Sequence, residues 1–598
     1  MPVYKAPVDE VTFLLRDVFR LDRYNNLPGF AEATPDVVEA VLAEAAKFSE
    51  AVLMPLNRVG DKEGCHRNAD GSVTTPSGFK DAYKKLTEGG WIGVSAPAEF
   101  GGQDLPTVIN QAVSEFFASA NMAFGMYAAL TEGAAAAIAV HGLPEQKKLY
   151  LPKLISGQWA GTMNLTEPQC GTDLGLVRTR AAPQSDGSYK ITGTKIFISA
   201  GEHDLAENIV HLVLARIDGA SAGTRGLSLF IVPKFLPAPN GGVGARNAVS
   251  CGSIEEKMGI HGNATCVMNY DGATGWLVAE PNRGLQAMFT MMNEARLGVG
   301  VQGLAMSEVA YQNAAAYAKE RLAGRALTGA KFPDKAADPI IVHPDVRRML
   351  MSMRAFNEAA RALVVWTALK ADIAHRAADA KEKQTADDHL ALLTPVIKGV
   401  LTDAGFAHAV LAQQIYGGHG YIAEHGIEQF VRDARITMLY EGTNGVQALD
   451  LVGRKLPKDG GRALQAFFAE LTAYAKERGG DPAMAPYVKP VGQALGDLQQ
   501  ATMWFLQNAL GNPDNAGAGA TDYMHLFGLV ALGYMWCLIA EAAKAKTGAG
   551  GDGATDRMAQ RLATGRFFME RMLPATATHL ARIKAGAAST MALSAEAF

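Results

Sequence analysis

The residue with the clearest capacity for acid–base work is Glu441, set in RDARITMLYEGTNGVQALDLVG (432–453) between an aromatic residue and a glycine, just after an apolar run. A carboxylate in such a place can be part buried, which would raise its pKa and make it a usable general base. A lone Glu-Gly pair reads equally as a solvated turn. Two other segments offer ligand contacts. NLTEPQCGTD (164–173) supplies hydroxyls and backbone N–H groups on a Gly/Pro-kinked turn, which can hold a phosphate or a flavin edge, although an Asx/Ser-Thr turn explains the same residues. In QIYGGHGY (414–421) consecutive glycines permit close backbone approach to a ligand, and a helix C-cap followed by a turn would look alike.

These segments sit on a chain whose pattern changes along its length. Residues 35–161 are mostly helical in periodicity, as in Val37, Val38, Val41, Leu42 and Ala45, with a loop at SAPAEFGG (95–102). Residues 162–282 carry short β-branched runs (YKITGTKIFIS, NIVHLVLARI, LSLFIVPKF, TCVMNY) divided by Gly, Asp and Asn, which predicts an antiparallel β-barrel or sandwich domain. Helical periodicity returns at Gly284. Leu393, Val396, Ile397, Val400 and Leu401 form one stripe that should end at Gly417-Gly418, and the proline-bearing segment 331–344 connects two long helices. From residue 456 to 598 the sequence is Ala-rich and helical, with breaks expected at GNPDNAGAGATD (511–522) and GAGGDGATD (548–556). The predicted fold class is therefore α+β multidomain: an N-terminal extension (1–34), an α-helical domain (35–161), a central β domain (162–282), a helical bundle (283–455) and an extra C-terminal helical domain (456–598).

Composition sets outer limits. With 598 residues, 48% hydrophobic and 19% charged, the chain can bury several cores. Its 56 basic and 60 acidic residues leave a formal charge of -4 without a basic run, so nucleic acid is not an expected partner. The five cysteines (Cys65, Cys170, Cys251, Cys266, Cys537) show no CxxC spacing, which argues against a zinc site or disulfide framework and fits a reducing cytoplasm. LFGLVALGYMWCLIA (526–540) lacks charge but is short for a membrane span, so a buried helix is expected rather than membrane insertion.

Together, in this order, these segments resemble the acyl-CoA dehydrogenase family, whose members show a TEPxxGSD-like loop, a KxWITNG-like strand, a QxxGGxGY helix end and a YEGT turn. The resemblance spans roughly residues 40–455, and the Ala-rich tail with the Tyr4–Phe13 leader is similar to the long-form bacterial branch, which includes fatty acyl-CoA and methylmercaptopropionyl-CoA dehydrogenases. It implies an FAD enzyme of fatty acid β-oxidation that makes trans-2-enoyl-CoA and passes electrons to an electron-transfer flavoprotein. Glu441 would remove the α-proton while a β-hydride goes to flavin N5, and its own backbone N–H would help polarise the thioester carbonyl. Leu165 and Thr166 would meet the flavin ring, Gly171 and Thr172 the pyrophosphate side, and Phe197 and Ser199 the isoalloxazine, where Trp and Thr are commoner.

The resemblance also implies that Arg321 reaches the FAD of a neighbouring subunit in a homodimer, and that Gln414, Gly418 and Thr443 complete the cofactor contacts. Gly324 and Gly445 depart from the family pattern there. Met122 and Met126, with Tyr440 and Gly442 beside the base, would form the substrate side, although core packing explains the two methionines equally well. A few relatives carry the base just before a helix-borne Arg; here Ala295 holds that place, and Glu294, one step and about 100° round the helix, is expected to be a surface or capping charge. An oxygen-reducing oxidase and a non-catalytic acyl-CoA-binding relative are the alternative readings.

Overall fold

The computed structural model describes residues 2–547 and 552–598. In chain order the helices are α1 (Val8–Phe13), α2 (Pro35–Phe48), α3 (Met54–Glu63), α4 (Phe79–Glu88), α5 (Thr107–His141) and α6 (Pro144–Ile155). Seven principal strands follow: β1 (Trp159–Asn164), β2 (Arg180–Pro183), β3 (Tyr189–Ser199), β4 (Asn208–Ile217), β5 (Leu227–Pro233), β6 (Val249–Ile254) and β7 (Thr265–Val278). Helices resume with α7 (Gly284–Glu320), α8 (Pro344–Arg376), α9 (Ala380–Tyr416), α10 (Ile427–Arg435) and α11 (Asn444–Asp450). The last five are α12 (Arg462–Arg478), α13 (Ala485–Asn508), α14 (Asp514–Thr547), α15 (Asp552–Arg571) and α16 (Ala575–Lys584). Two compact units result, residues 44–298 and residues 1–43 with 299–598.

In the first unit five strands close on themselves. β7 pairs with β3, β3 with β2, β2 with β4, β4 with β5 and β5 with β7 again, while β6 and β1 extend the sheet from β7 and β4. Closure leaves each of the five ring strands paired on both sides, and β7 manages it by being 14 residues long, pairing with β3 along most of its length and with β5 at Trp276–Val278. The expected all-antiparallel pairing is corrected at β4, which runs parallel to both β1 and β2. The intervening β2–β3 segment lets the chain return in the same direction, a long-range choice that alternation cannot encode.

β4 also shows why its sequence reads as one apolar run. Val210, Leu212 and Leu214 join Trp159, Ile138, Tyr150 and Leu154 of the strand and helices outside the barrel, whereas Val213 and Ala215 pack with Ile191, Phe230 and Ala273 inside it. Both faces are buried, so both are apolar. α5 is interrupted at Asn121 (φ -160°, ψ 89°), whose side-chain oxygen accepts from the Phe124 N–H at 3.0 Å and so caps the second half of the helix.

In the second unit the long pair α8 and α9 packs against α14, which is also surrounded by α13, α15 and α16. That central position accounts for the apolar 526–540 segment. Among the described residues three helices are long and apolar enough to cross a membrane by length and composition, and in α14 78% of the relevant window is buried within the fold. α9 ends at Tyr416 with Gly417 in left-handed backbone (φ 59°), where the glycine pair predicted a stop. The expected break at 511–522 is present but shorter: α13 ends at Asn508 and α14 already begins at Asp514, and Gly519 is a packing residue, since a methyl there would lie 2.9 Å from the Phe505 ring. Of the predicted break at 548–556, residues 548–551 lie outside the described residues, and 552–556 already belong to α15. Glu10, just ahead of Phe13, receives Arg561 at 2.7 Å, and the same guanidinium covers the Phe13 ring, so the leader is fastened to α15.

Candidate functional site

The 164–173 segment is held by a buried ion pair. Glu167 and Lys195 meet at 2.9 Å, and Glu167 also accepts from the Arg178 N–H, the Thr179 N–H and the Thr179 hydroxyl. Burial works against charge on Glu167, but Lys195 and these donors outweigh it and hold the carboxyl down to about 2. Burial lowers the Lys195 pKa, opposed by the charge on Glu167. Lys195 donates a further bond to the Leu165 carbonyl at 2.8 Å, and the Ile196 N–H bonds the Thr166 carbonyl. The ion pair therefore fixes the backbone of Leu165 and Thr166, both half-buried, against the end of β3.

On that strand end Phe197 is in left-handed backbone (φ 59°) and 60% exposed, with half-buried Ser199 two residues on. An exposed aromatic on strained backbone next to a braced hydroxyl-bearing loop suits the flat apolar face and polar edge of a flavin ring. Gly171 and Thr172 are exposed, and a methyl at Gly171 would meet nothing within 4 Å, so this turn leaves open room for a phosphate-sized group. Met122 and Met126 are buried at 1% and 4% exposure, in the helix segment that follows the Asn121 kink.

Two carboxyls of this unit were not anticipated as a pair. Glu132 accepts from Asn110 at 2.9 Å, and burial raises its pKa to about 7. Glu294 is reached by solvent yet sufficiently enclosed that burial, followed by the Glu132 charge, raises it to about 8. Glu294 is exposed, as expected of a surface charge, while its nearness to Glu132 is a relation between α5 and α7 that helix spacing alone does not reveal.

In the second unit the turn before α11 carries the predicted base. Glu441 is in left-handed backbone (φ 58°), followed by Gly442 (φ 87°), and Thr443 occupies the N-cap position of α11. A non-glycine residue in that region costs on the order of 1–2 kcal/mol and persists only where surrounding groups over-determine it. Those groups are Lys398, fully buried, which donates to the Gly442 carbonyl at 2.8 Å and to Asn444 Oδ1 at 2.7 Å, and Gln447, whose amide donates to the Glu441 carbonyl at 3.1 Å. Tyr440 donates its hydroxyl to Gln302, and burial followed by the Glu441 charge raises its pKa well above the usual phenol value. Lys398 and Asn444 escaped the sequence reading, although a lone lysine within the apolar stripe of α9 was a visible signal.

Arg321, just beyond α7, is exposed, as are Gln414 and Gly418 at the end of α9. Tyr317, one turn before Arg321, stacks on Tyr416 at 4.1 Å and donates to or accepts from His419 Nδ1 at 2.9 Å, which places the α7 and α9 ends side by side. The sequence-predicted residues are therefore grouped as a loop-and-strand cluster (165–199) in one unit and as a turn (440–443) and a helix-end patch (321, 414, 418) in the other.

Comparison with known proteins covers nearly the whole chain. Residues 36–158, 162–273 and 282–456 match the N-terminal, middle and C-terminal domains described for acyl-CoA dehydrogenases, and residues 467–594 match a domain described as acetyl-CoA dehydrogenase C-terminal like. A 3-methylmercaptopropionyl-CoA dehydrogenase of Ruegeria pomeroyi is 43% identical over 586 residues, 97% of this chain and 98% of that protein. A broad-specificity linear acyl-CoA dehydrogenase of Mycobacterium tuberculosis is 35% identical over 96% of both chains. Among solved structures, an acyl-CoA dehydrogenase of Bacillus anthracis complexed with FAD shares the fold, with a TM-score of 0.70 at 23% identity over 85% of this chain and 82% of its own.

Proposed function

The chain belongs to the acyl-CoA dehydrogenase family, and from that membership we propose that it is an FAD-dependent cytoplasmic enzyme that desaturates an acyl-CoA thioester to the trans-2-enoyl-CoA. Glu441 takes the α-proton. Its backbone N–H donates to the thioester carbonyl, stabilising the enolate character that makes the proton removable. FAD, when bound, supplies the hydride acceptor. Leu165, Thr166, Phe197 and Ser199 would hold its ring system, Gly171 and Thr172 its pyrophosphate, and Arg321, Gln414, Gly418 and Thr443 the remaining contacts, Arg321 across a homodimer interface. Electrons then leave to an electron-transfer flavoprotein.

One observation carries this reading: a single carboxylate, at the position the family motif assigns to the base, is set on left-handed backbone and clamped from a buried lysine. Strain of this kind is maintained at sites where a side chain must be aimed. The substrate proposed is a short acyl-CoA of the 3-methylmercaptopropionyl type, on the strength of the 43% identical relative that bears that name.

The test is anaerobic addition of acyl-CoAs, including 3-methylmercaptopropionyl-CoA, to the yellow holoenzyme. Loss of flavin absorbance with release of an enoyl-CoA two mass units lighter than its substrate supports the reading. A colourless protein, or a flavin that no acyl-CoA bleaches, overturns it.

A further inference from the structure

The left-handed turn at Glu441–Gly442 does not end its supports at Lys398. Asn444, whose Oδ1 accepts from Lys398, donates through Nδ2 to Asp403 Oδ1 at 2.6 Å, and Asp403 Oδ2 in turn accepts from His525 Nε2 at 2.9 Å. His525 belongs to α14, within the segment 467–594 that follows the three domains of the family. A continuous line of hydrogen bonds thus runs from the carbonyl beside the base, through two residues of α9 and one of α11, to the extra C-terminal domain.

The packing of α14 on α9 makes this reach possible. Gly399 takes the Met524 side chain against its backbone, and a methyl on Gly528 would lie 2.7 Å from Val400. Small residues on both helices bring the axes close at the level of Asp403. His525 is further backed by His579, whose ring stacks on it at 5.9 Å and whose Nδ1 donates to Asp522 at 2.7 Å.

We infer that His525 is a positioning residue: through Asp403 and Asn444 the C-terminal domain holds the Glu441–Gly442 turn in its left-handed form, so that this domain is a working part of the active site. The physical case is that strained backbone stays put only while its anchors are themselves fixed: Asn444 Nδ2 donates to the Gly399 carbonyl at 3.2 Å, to the Thr402 hydroxyl at 2.9 Å and, at the shortest distance, to Asp403 at 2.6 Å, which is the charged acceptor among the three. Without His525, Asp403 can turn toward solvent, and the clamp on Gly442 loosens.

Hydrogen exchange at the amides of 439–447 reads this directly in the holoenzyme, without reference to turnover. His525→Ala is expected to speed their exchange about tenfold, the worth of one charge-assisted hydrogen bond, and His525→Gln, whose amide can donate from the Nε2 position, to restore it. Tyr523→Phe removes another buried hydroxyl contact of α14, the one to Thr502, and should leave the 439–447 amides unchanged. Flavin bleaching by acyl-CoA, which rests on the dehydrogenase reading, is expected to slow in parallel in His525→Ala at unaltered FAD content. Asp403→Asn repeats the exchange test from the acceptor side should His525→Ala fail to fold. Unchanged exchange at 439–447, equal acceleration in Tyr523→Phe, or failure of the Gln variant to restore protection overturns the inference. A wild-type flavin that no acyl-CoA bleaches overturns the dehydrogenase reading instead, and the exchange comparison still decides the role of His525.

Discussion

Replacing Glu167 with Gln tests the physical basis of the proposed flavin cradle. Gln has the shape of the protonated carboxyl, so the variant reports what the charge contributes. Folding moves the Glu167 carboxyl from its ordinary 4.5 to about 2, and at about 1.4 kcal/mol per tenfold this amounts to roughly 3 kcal/mol of stability at pH 7. Because folding lowers this pKa, the contribution is complete above about pH 4.5 and is lost as pH falls toward 2; at pH 3 about 1.4 kcal/mol should remain. Other carboxylates titrate alike in both proteins and cancel in the difference. Hydrogen exchange of β2 and β3 peptides, between which Thr179, Arg178 and Lys195 anchor the carboxylate, is the suitable assay, with protection at pH 7 expected to fall on the order of a hundredfold in the variant. The gap should narrow to about tenfold at pH 3. A gap that is the same at both pH values, or below about 1 kcal/mol at pH 7, would refute the claim that Lys195 and the surrounding donors hold Glu167 ionised.

Three other substitutions probe the remaining assignments. Glu441→Gln should keep the yellow cofactor and slow flavin bleaching by acyl-CoA about a thousandfold or more, as seen by anaerobic stopped flow; a normal rate would remove Glu441 as the base. Gly442→Ala places a methyl 2.7 Å from the Gln447 amide at φ 87°, so bleaching is expected to slow about tenfold while the flavin-to-protein absorbance ratio holds, and wild-type kinetics would show that the turn has slack. Arg321→Ala should lower that absorbance ratio more than it slows bleaching in the FAD-loaded fraction; full retention of flavin would contradict a cofactor contact.

Helix ends at Gly284 and Tyr416 could be read from sequence because glycine marks them locally, and the barrel strands because β-branched runs are bounded by turn residues. The closure of the barrel could not. Whether β4 runs parallel or antiparallel to a neighbour depends on where residues far away in the chain are placed, and its two-faced burial erases the alternation that would have shown which side is inside. Gly517 and Gly519 misled for the opposite reason: in α14 tertiary packing overrides their poor helix propensity, and Gly519 is small because the Phe505 ring needs its space.

The same division applies to chemistry. Groups that would touch substrate or flavin fall in short motifs, since a ligand must be met by neighbouring backbone, and such motifs can be read as strings. Groups that hold those motifs in place need share only a location in space. Lys195 lies 28 residues from Glu167, and Lys398, Asp403, Asn444 and His525 are spread over three helices, each unremarked by its own neighbours. A buried lysine in an apolar helical stripe is nevertheless informative. Burial without a partner would cost several kcal/mol, so a chain that keeps Lys398 at the level of a Glu-Gly turn must supply acceptors there, and those it supplies include the backbone carbonyl next to the base and Asn444 Oδ1.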